Sequence, residues 1–212
     1  MSNFGSQASQ DLFALGILNY PSSGSYLEIG AGHPEKGNNT WLLEKLNWTG
    51  VSIDSGNFAQ DWRGKRKNYF FNEDACTFDY SKLTPSVIDY LSIDIDEATN
   101  VALKVIPFDK FQFKVITIEH DVRNPNGEAQ KVEQRKILDD LGYVRLISDV
   151  CSMCKQFFAS TGPPAFDKDV VVPFEDWYVA PEWYNDQPIL SNILHEEIIK
   201  ILGFKDREAI LS

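Results

Sequence analysis

The sequence predicts an α/β sandwich built on a seven-stranded, mainly parallel sheet whose last strand runs antiparallel. Three observations carry that expectation. The short apolar stretch Tyr26-Leu27-Glu28-Ile29-Gly30-Ala31-Gly32 runs into a glycine turn, and Gly50-Val51-Ser52-Ile53-Asp54 answers it after one helix and ends on an acid. Strand-like and helix-like patterns then keep alternating, as in a sheet covered by helices on both faces. Near the C-terminus two strand-like runs, 143–150 and 174–179, follow each other with no helix between them, which implies an antiparallel end to the sheet. A chain of 212 residues with 43% hydrophobic content suits one domain with a substantial core, spanning 1–212.

Taken in order, residues 6–18 read as a helix within an N-terminal helical segment of 1–20, with Leu12, Phe13, Leu15 and Leu18 apolar. Pro21-Ser22-Ser23-Gly24 is a turn. In the first strand Tyr26, Leu27 and Ile29 supply β-forming bulk, and Gly30 and Gly32 permit a tight turn or close approach to a ligand. The next helix is expected to open at Asn38-Asn39-Thr40, whose side chains are of the N-cap type, and to run apolar through Trp41, Leu42, Leu43 and Leu46. Residues 57–67 suit a short helix, 69–71 a third strand and 87–95 a fourth. Pro107 breaks the helix that carries Val101, Ala102 and Val105. The fifth strand, 113–118, is nearly continuously apolar, as a strand buried on both faces should be. A helix over Ala129 to Leu141 closes on Gly142. The last segment, 187–212, carries an amphipathic helix with Leu190, Ile193, Leu194, Ile198 and Ile201 on one face. Packing on its own domain is the favoured use of that face, and a homodimer contact is the second.

Strand, glycine turn, helix, strand and terminal acid form the plan of a nucleoside-binding βαβ unit, in which Asp54 accepts hydrogen bonds from both ribose hydroxyls. A dinucleotide site wants G-x-G-x-x-G with a pyrophosphate on the helix N-terminus. Here Glu35 stands where the third glycine belongs and would repel that group. Glu28, before the first glycine, suits a cation instead. S-adenosylmethionine carries a sulfonium and an ammonium and no phosphate, so the E-x-G-x-G form favours it over NAD. At the end of the third strand, Asp74 and the backbone of Ala75 suit an adenine ring.

Four stretches, Y-L-E-I-G-A-G-H-P, N-N-T-W-L-L-E, N-W-T-G-V-S-I-D and D-Y-L-S-I-D-I-D, together resemble the FkbM-type branch of class I S-adenosylmethionine-dependent methyltransferases. S-Q-A-S-Q-D at 6–11 is similar to that family's N-terminal segment, and the resemblance extends to about residue 181. It implies a Rossmann-like methyltransferase fold and a cofactor site drawn from Glu28, Gly30, Gly32, Asn39 and Thr40, with Asp54, Ser55, Asp74 and Ala75 opposite. It also implies Gln7, Gln10 and Asp11 over the cofactor, and a hydroxylated acceptor such as a sugar or a polyketide-like molecule. Where the family has D-x-E-G, this chain has Asp94-Ile95-Asp96-Glu97.

Ligands of such sheets lie beyond the carboxyl ends of the strands, where Asp94, Asp96, Glu119, His120 and Asp121 would gather. Two chemistries fit them. In one, His120 is the general base for the acceptor hydroxyl, with Asp94 beside it. In the other, Asp94, Glu119 and His120 hold Mg²⁺, which orients and acidifies the acceptor. The loop 157–173 is placed to cover the acceptor, with Trp177, Tyr178, Trp183 and Tyr184 either lining its pocket or packing in the core. Cys151 and Cys154 form a single C-x-x-C with only Cys76 besides, too few ligands for structural zinc, so reduced thiols are expected.

A net charge of −11 and a pI near 4.7 disfavour a polynucleotide partner. The densest basic patch, Arg63, Lys65, Arg66 and Lys67, reads as a solvated loop or helix end. No apolar run reaches membrane-spanning length, and Met1-Ser2-Asn3-Phe4 does not open a basic region followed by an apolar one, so a cytoplasmic location without membrane contact is expected. The reading is thus an O-methyltransferase. Its rivals are a catalytically silent S-adenosylmethionine-binding module and an NAD-dependent oxidoreductase.

Overall fold

The run 26–29 becomes the centre of the molecule because its side chains are covered on both faces. The computed structural model describes residues 5–120, 122, 125–155 and 169–212. In it β1 (Ser25–Ile29) has its last four residues buried and lies between β2 (Thr49–Ile53) and β4 (Val87–Ile93), parallel to each. Beyond β2 sits the short β3 (Tyr69–Phe71), and beyond β4 sits β5 (Gln112–Glu119), again parallel. β7 (Asp169–Val179) inserts antiparallel between β5 and β6 (Val144–Lys155). The expected run of strands is therefore present, with β7 reversed. An eighth strand was not foreseen: β8 (Leu190–Ser191) adds two residues parallel to β6, giving the order β3-β2-β1-β4-β5-β7-β6-β8. Two residues are too few for a periodic signal.

Helices cover both faces. α1 (Gln10–Ile17), α2 (Trp41–Lys45) and α6 (His195–Ile201) pack Phe13, Leu42 and Ile198 with Trp48 and Trp177 in one apolar layer. α4 (Thr99–Val105) and α5 (Gly127–Asp140) pack Leu103 and Leu138 with Phe113 and Tyr178 in the other. Trp177 and Tyr178, adjacent in β7, are both fully buried and fall in opposite layers, which is the period-two alternation of a strand. Both are core, and Trp183 and Tyr184 pack against the first layer.

Other boundaries moved for local reasons. The helix expected over 57–67 is only α3 (Ala59–Trp62), ended by Gly64 at φ +74. The C-terminal segment 187–212 is not one helix. Asn192 at φ +55 separates β8 from α6, and Gly203 at φ +68 separates α6 from α7 (Arg207–Leu211). Residues 169–173 of the expected covering loop belong to β7, while 157–168, Asp121, Arg123, Asn124 and the first four residues lie outside the described residues, as does the side chain of Cys154. Among the described residues no helix is long and apolar enough to cross a membrane.

Candidate functional site

The glycine turn after β1 is shaped by backbone approach. Gly30 has φ +83, and its N–H donates to the Ile53 carbonyl at 2.9 Å. A Cβ there would lie 1.7 Å from the carbonyl oxygen of Asp94, so only glycine lets the ends of β1 and β4 come this close. Gly32 at φ +53 has open space around it, and its N–H donates to Asp54 Oδ2 at 2.7 Å. The other oxygen of Asp54 accepts from the Gly56 N–H at 2.6 Å. One carboxylate thus clips the turns after β1 and β2 together, while Trp62 donates to the Gly32 carbonyl at 2.8 Å.

These turns floor a cleft of about 350 Å³ at the carboxyl ends of β1 to β4. Gly30, Asp54, Ser55, Asp74, Ala75 and Asp94, all named from the sequence, line it. Ile53, Phe58 and Ile95 give it apolar wall, and Glu73 and Asp96 add two more acids. Five carboxylates line the cleft, and among the described residues lining it none is basic. Such a wall repels a pyrophosphate and suits a cationic ligand with an apolar ring. Asp74 also accepts from the Cys76 N–H at 2.8 Å, an Asx turn that holds its carboxylate at the rim.

Glu28, Asn39 and Thr40 are elsewhere. Glu28 is 2% exposed and accepts from Ser52 Oγ at 2.6 Å, Thr40 Oγ1 at 2.8 Å, the Asn39 N–H at 3.0 Å and Asn38 Nδ2 at 3.2 Å. Burial raises its pKa, while the Arg66 guanidinium and these donors oppose the rise. Asn39 Nδ2 donates to Ser92 Oγ at 2.9 Å. Thr40, at the N-cap of α2, makes no side-chain cap bond; its hydroxyl is engaged by Glu28 and Arg66, while Asn38 Oδ1 accepts from the Thr40 N–H at 3.1 Å and from Arg66 at 2.9 Å. The expected cation ligand is a buried strut under the glycine turn.

Arg66 comes from the expected solvated patch, yet it is buried. Its side chain is 2% exposed, reaching Glu44 at 2.7 Å, the Pro34 carbonyl at 2.8 Å, Asn38 at 2.9 Å, Thr40 at 3.0 Å and Tyr26 at 3.1 Å. Lys65 pairs with Glu35 at 3.0 Å on the surface.

The constellation expected at the ends of β4 and β5 divides in two. Glu119 and His120 are consecutive in an extended stretch, so their side chains take opposite faces. Glu119 hydrogen-bonds Asp94, and burial together with that acid pushes its pKa up to about 10, so the pair shares a proton. Glu175, opposite Glu119 in the β5–β7 register, lies fully buried beside them, its pKa raised to about 8 by burial and by Asp94. Glu175 accepts from Gln10 Nε2 at 2.7 Å and from Trp177 Nε1 at 2.5 Å. Gln10 therefore reaches this acid and not the cleft, and Asp11 is buried against Arg207 at 2.9 Å. Gln7 is exposed.

His120 faces the α5 side with Asp176, 3.8 Å from its Nε2, and Asp149, 3.6 Å away. It is 2% exposed, does not line the cleft, and burial lowers its pKa to about 4. Both catalytic readings of His120 are corrected by this alternation: it cannot take a proton in the cleft, and Asp94, Glu119 and His120 do not converge on an ion. The donor set does not fit Mg²⁺ there. Glu175, Asp149, Asp176, Lys131 and Arg135 were missed. Their signal was the pair Glu175-Asp176 inside a run that otherwise reads as a buried strand.

No family model matches the sequence, and a search of curated proteins finds no match. Among solved structures the chain is similar to precorrin-6Y C5,15-methyltransferase from Geobacter metallireducens GS-15, with a TM-score of 0.51 and 14% identity over 80% of this chain and 87% of that one. It is also similar to a candidate hemolysin from Lactococcus lactis, with a TM-score of 0.50 and 12% identity over 94% and 98% of the two chains. At such identities the likeness speaks of architecture. The chain has the α/β, Rossmann-like methyltransferase fold, with its mainly parallel sheet and reversed β7.

Proposed function

We propose that the chain is an S-adenosylmethionine-dependent O-methyltransferase of the FkbM type, acting on a hydroxyl of a small acceptor such as a sugar or polyketide-like molecule. The observation that carries the cofactor is the cleft itself, floored by Gly30, walled by five carboxylates and free of basic lining among the described residues. Asp54 would hold the ribose hydroxyls, Asp74 and the Ala75 backbone the adenine, and Asp96 the cationic end. When bound, the cofactor supplies an electrophilic methyl group. Ile53, Phe58 and Ile95 give the cleft its large apolar lining.

Proton acceptance falls to Asp94. It lines the cleft, and Glu119 behind it, held protonated by burial, donates to it and fixes its orientation. The acceptor class rests on the motif resemblance. A small acceptor is also favoured over a polynucleotide by the net charge of −11 and by the engagement of Arg66 and Lys65 in ion pairs.

Calorimetric titration with S-adenosylhomocysteine and with NAD tests the reading. The first should bind and the second should not. Asp54→Ala should weaken S-adenosylhomocysteine by about 2–3 kcal/mol, the range for hydrogen bonds to a charged group. Because Asp54 also clips Gly32 and Gly56, Asp54→Asn is the companion variant, and its unfolding midpoint shows how much of the loss is structural. Unchanged affinity in both variants would remove the cofactor assignment.

A further inference from the structure

On the face of the sheet away from Glu119, three elements deliver one imidazole and two carboxylates to one point. His120 follows β5, its N–H donating to the Phe174 carbonyl at 2.8 Å, and so extends the β5–β7 pairing by one residue. Asp176 sits in β7, 1% exposed. Asp149 sits where the β6–β7 register slips between Ile147 and Val150, with φ +54, a conformation that a non-glycine residue seldom takes and that aims its side chain inward. Its own N–H donates to Asp176 Oδ1 at 2.7 Å, which locks the two acids together.

We propose that His120, Asp149 and Asp176 form a binding site for a zinc-type divalent metal ion, separate from the cofactor cleft. Among the described residues, one ligand atom from each of these three lies within 4.8 Å of the others. His120 Nε2 is 3.6 Å from Asp149 Oδ1 and 3.8 Å from Asp176 Oδ1. Those separations are too long for hydrogen bonds. They are close to the edge of a tetrahedron, ~3.4 Å for ligands about 2.1 Å from a zinc ion. The second observation is the histidine itself. Its side chain has no exposure, and among the described residues neither ring nitrogen has a hydrogen-bond partner. A buried imidazole without partners, aimed at two carboxylates, is costly unless something sits between them.

Two cations share the acids and must be accounted for. Arg135 donates to Asp176 Oδ2 at 2.6 Å and to Asp149 Oδ2 at 2.9 Å, and also to Asp176 Oδ1, the oxygen that faces His120, at 2.9 Å. Lys131 Nζ is 3.2 Å from Asp149 Oδ1, the oxygen that faces His120. The lysine therefore occupies a place a metal would take. It has another partner ready, Glu128, at 3.1 Å on the solvent side. We read Lys131 as a built-in competitor that moves onto Glu128 when the ion enters, leaving Arg135 to balance the charge.

The test is zinc titration of the full chain, stripped with chelator, against a chelating indicator, with cobalt(II) as the spectroscopic probe of tetrahedral nitrogen and oxygen ligands. One equivalent should bind and raise the unfolding temperature. His120→Gln should weaken binding by more than the roughly 10- to 100-fold that even indirect partners of a ligand produce. Asp149→Asn reads the same site should His120→Gln fail to fold. Lys131→Met should tighten zinc by about tenfold, the opposite of what a purely structural ion pair predicts. A wild-type chain that takes up no zinc overturns the proposal. So does equal uptake in His120→Gln, which would place the ion at His33, His195 or a cysteine, and so does a Lys131→Met variant no tighter than wild type.

Discussion

Gly30→Ala is expected to destabilise the protein by roughly 4 kcal/mol, from the strain of a side chain at positive φ together with overpacking. The variant should also lose measurable S-adenosylhomocysteine binding. The reason is a single contact. At φ +83 the added Cβ would sit 1.7 Å from the backbone carbonyl of Asp94, and backbone cannot swing aside as a side chain can. Either β1 and β4 separate at their carboxyl ends, or the turn abandons its bond to the Ile53 carbonyl. Both distort the floor of the cleft. Gly32→Ala is the control. Its φ is +53 but nothing lies within 4 Å of the new atom, so only the left-handed backbone costs, about 1–2 kcal/mol. Urea unfolding of the two variants checks this, and equal effects would show that conformation, and not the approach of Asp94, sets the requirement.

The contrast between these glycines marks what could be read in advance. That Gly30 and Gly32 form a turn, and that Asp54 ends the next strand beside it, follows from strand patterning and residue type, and both were legible. So was the reversal of β7, since no helix-length pattern separates it from β6. Which acids face the cleft was harder. Asp54, Asp74 and Asp94 stand just past strand ends and line it. Glu28 stands within a strand, where a side chain has a fixed face, and that face turned out to be covered by α2 and the residues before it. The same rule separates Glu119 from His120. Alternation applies there because the β5–β7 pairing runs on through His120, although the fifth strand expected from the sequence stops at 118; only the consecutive order of the two residues was legible. The pairing of His120 with Asp149 was not, because it depends on an irregularity between β6 and β7 that no local pattern announces.

Arg66→Ala should destabilise the protein by about 3–5 kcal/mol at neutral pH, the cost of leaving buried charge without its partner. The guanidinium has a salt bridge to Glu44 at 2.7 Å and further hydrogen bonds to Pro34, Asn38, Thr40 and Tyr26. Arg66 is also the main charge that opposes the burial of Glu28. Without it, Glu28 and Glu44 both lie in the interior with no cation between them. The pH dependence has a definite sign. A carboxyl whose folded pKa is raised contributes its stability below the unfolded pKa, about 4.3 for Glu, and loses it as pH climbs through the folded value. Removing Arg66 raises the folded pKa of Glu28 further, so the gap between variant and wild type should widen with rising pH and narrow toward about pH 4 to 5. Lys65→Ala, one residue earlier, removes a pair whose side chains are 46% and 25% exposed and should change stability by less than about 0.5 kcal/mol. Denaturant unfolding at several pH values distinguishes the outcomes. A gap that stayed constant with pH would mean that Arg66 acts through its neutral partners, Pro34, Asn38, Thr40 and Tyr26, and that Glu28 is held by its four hydrogen-bond donors alone.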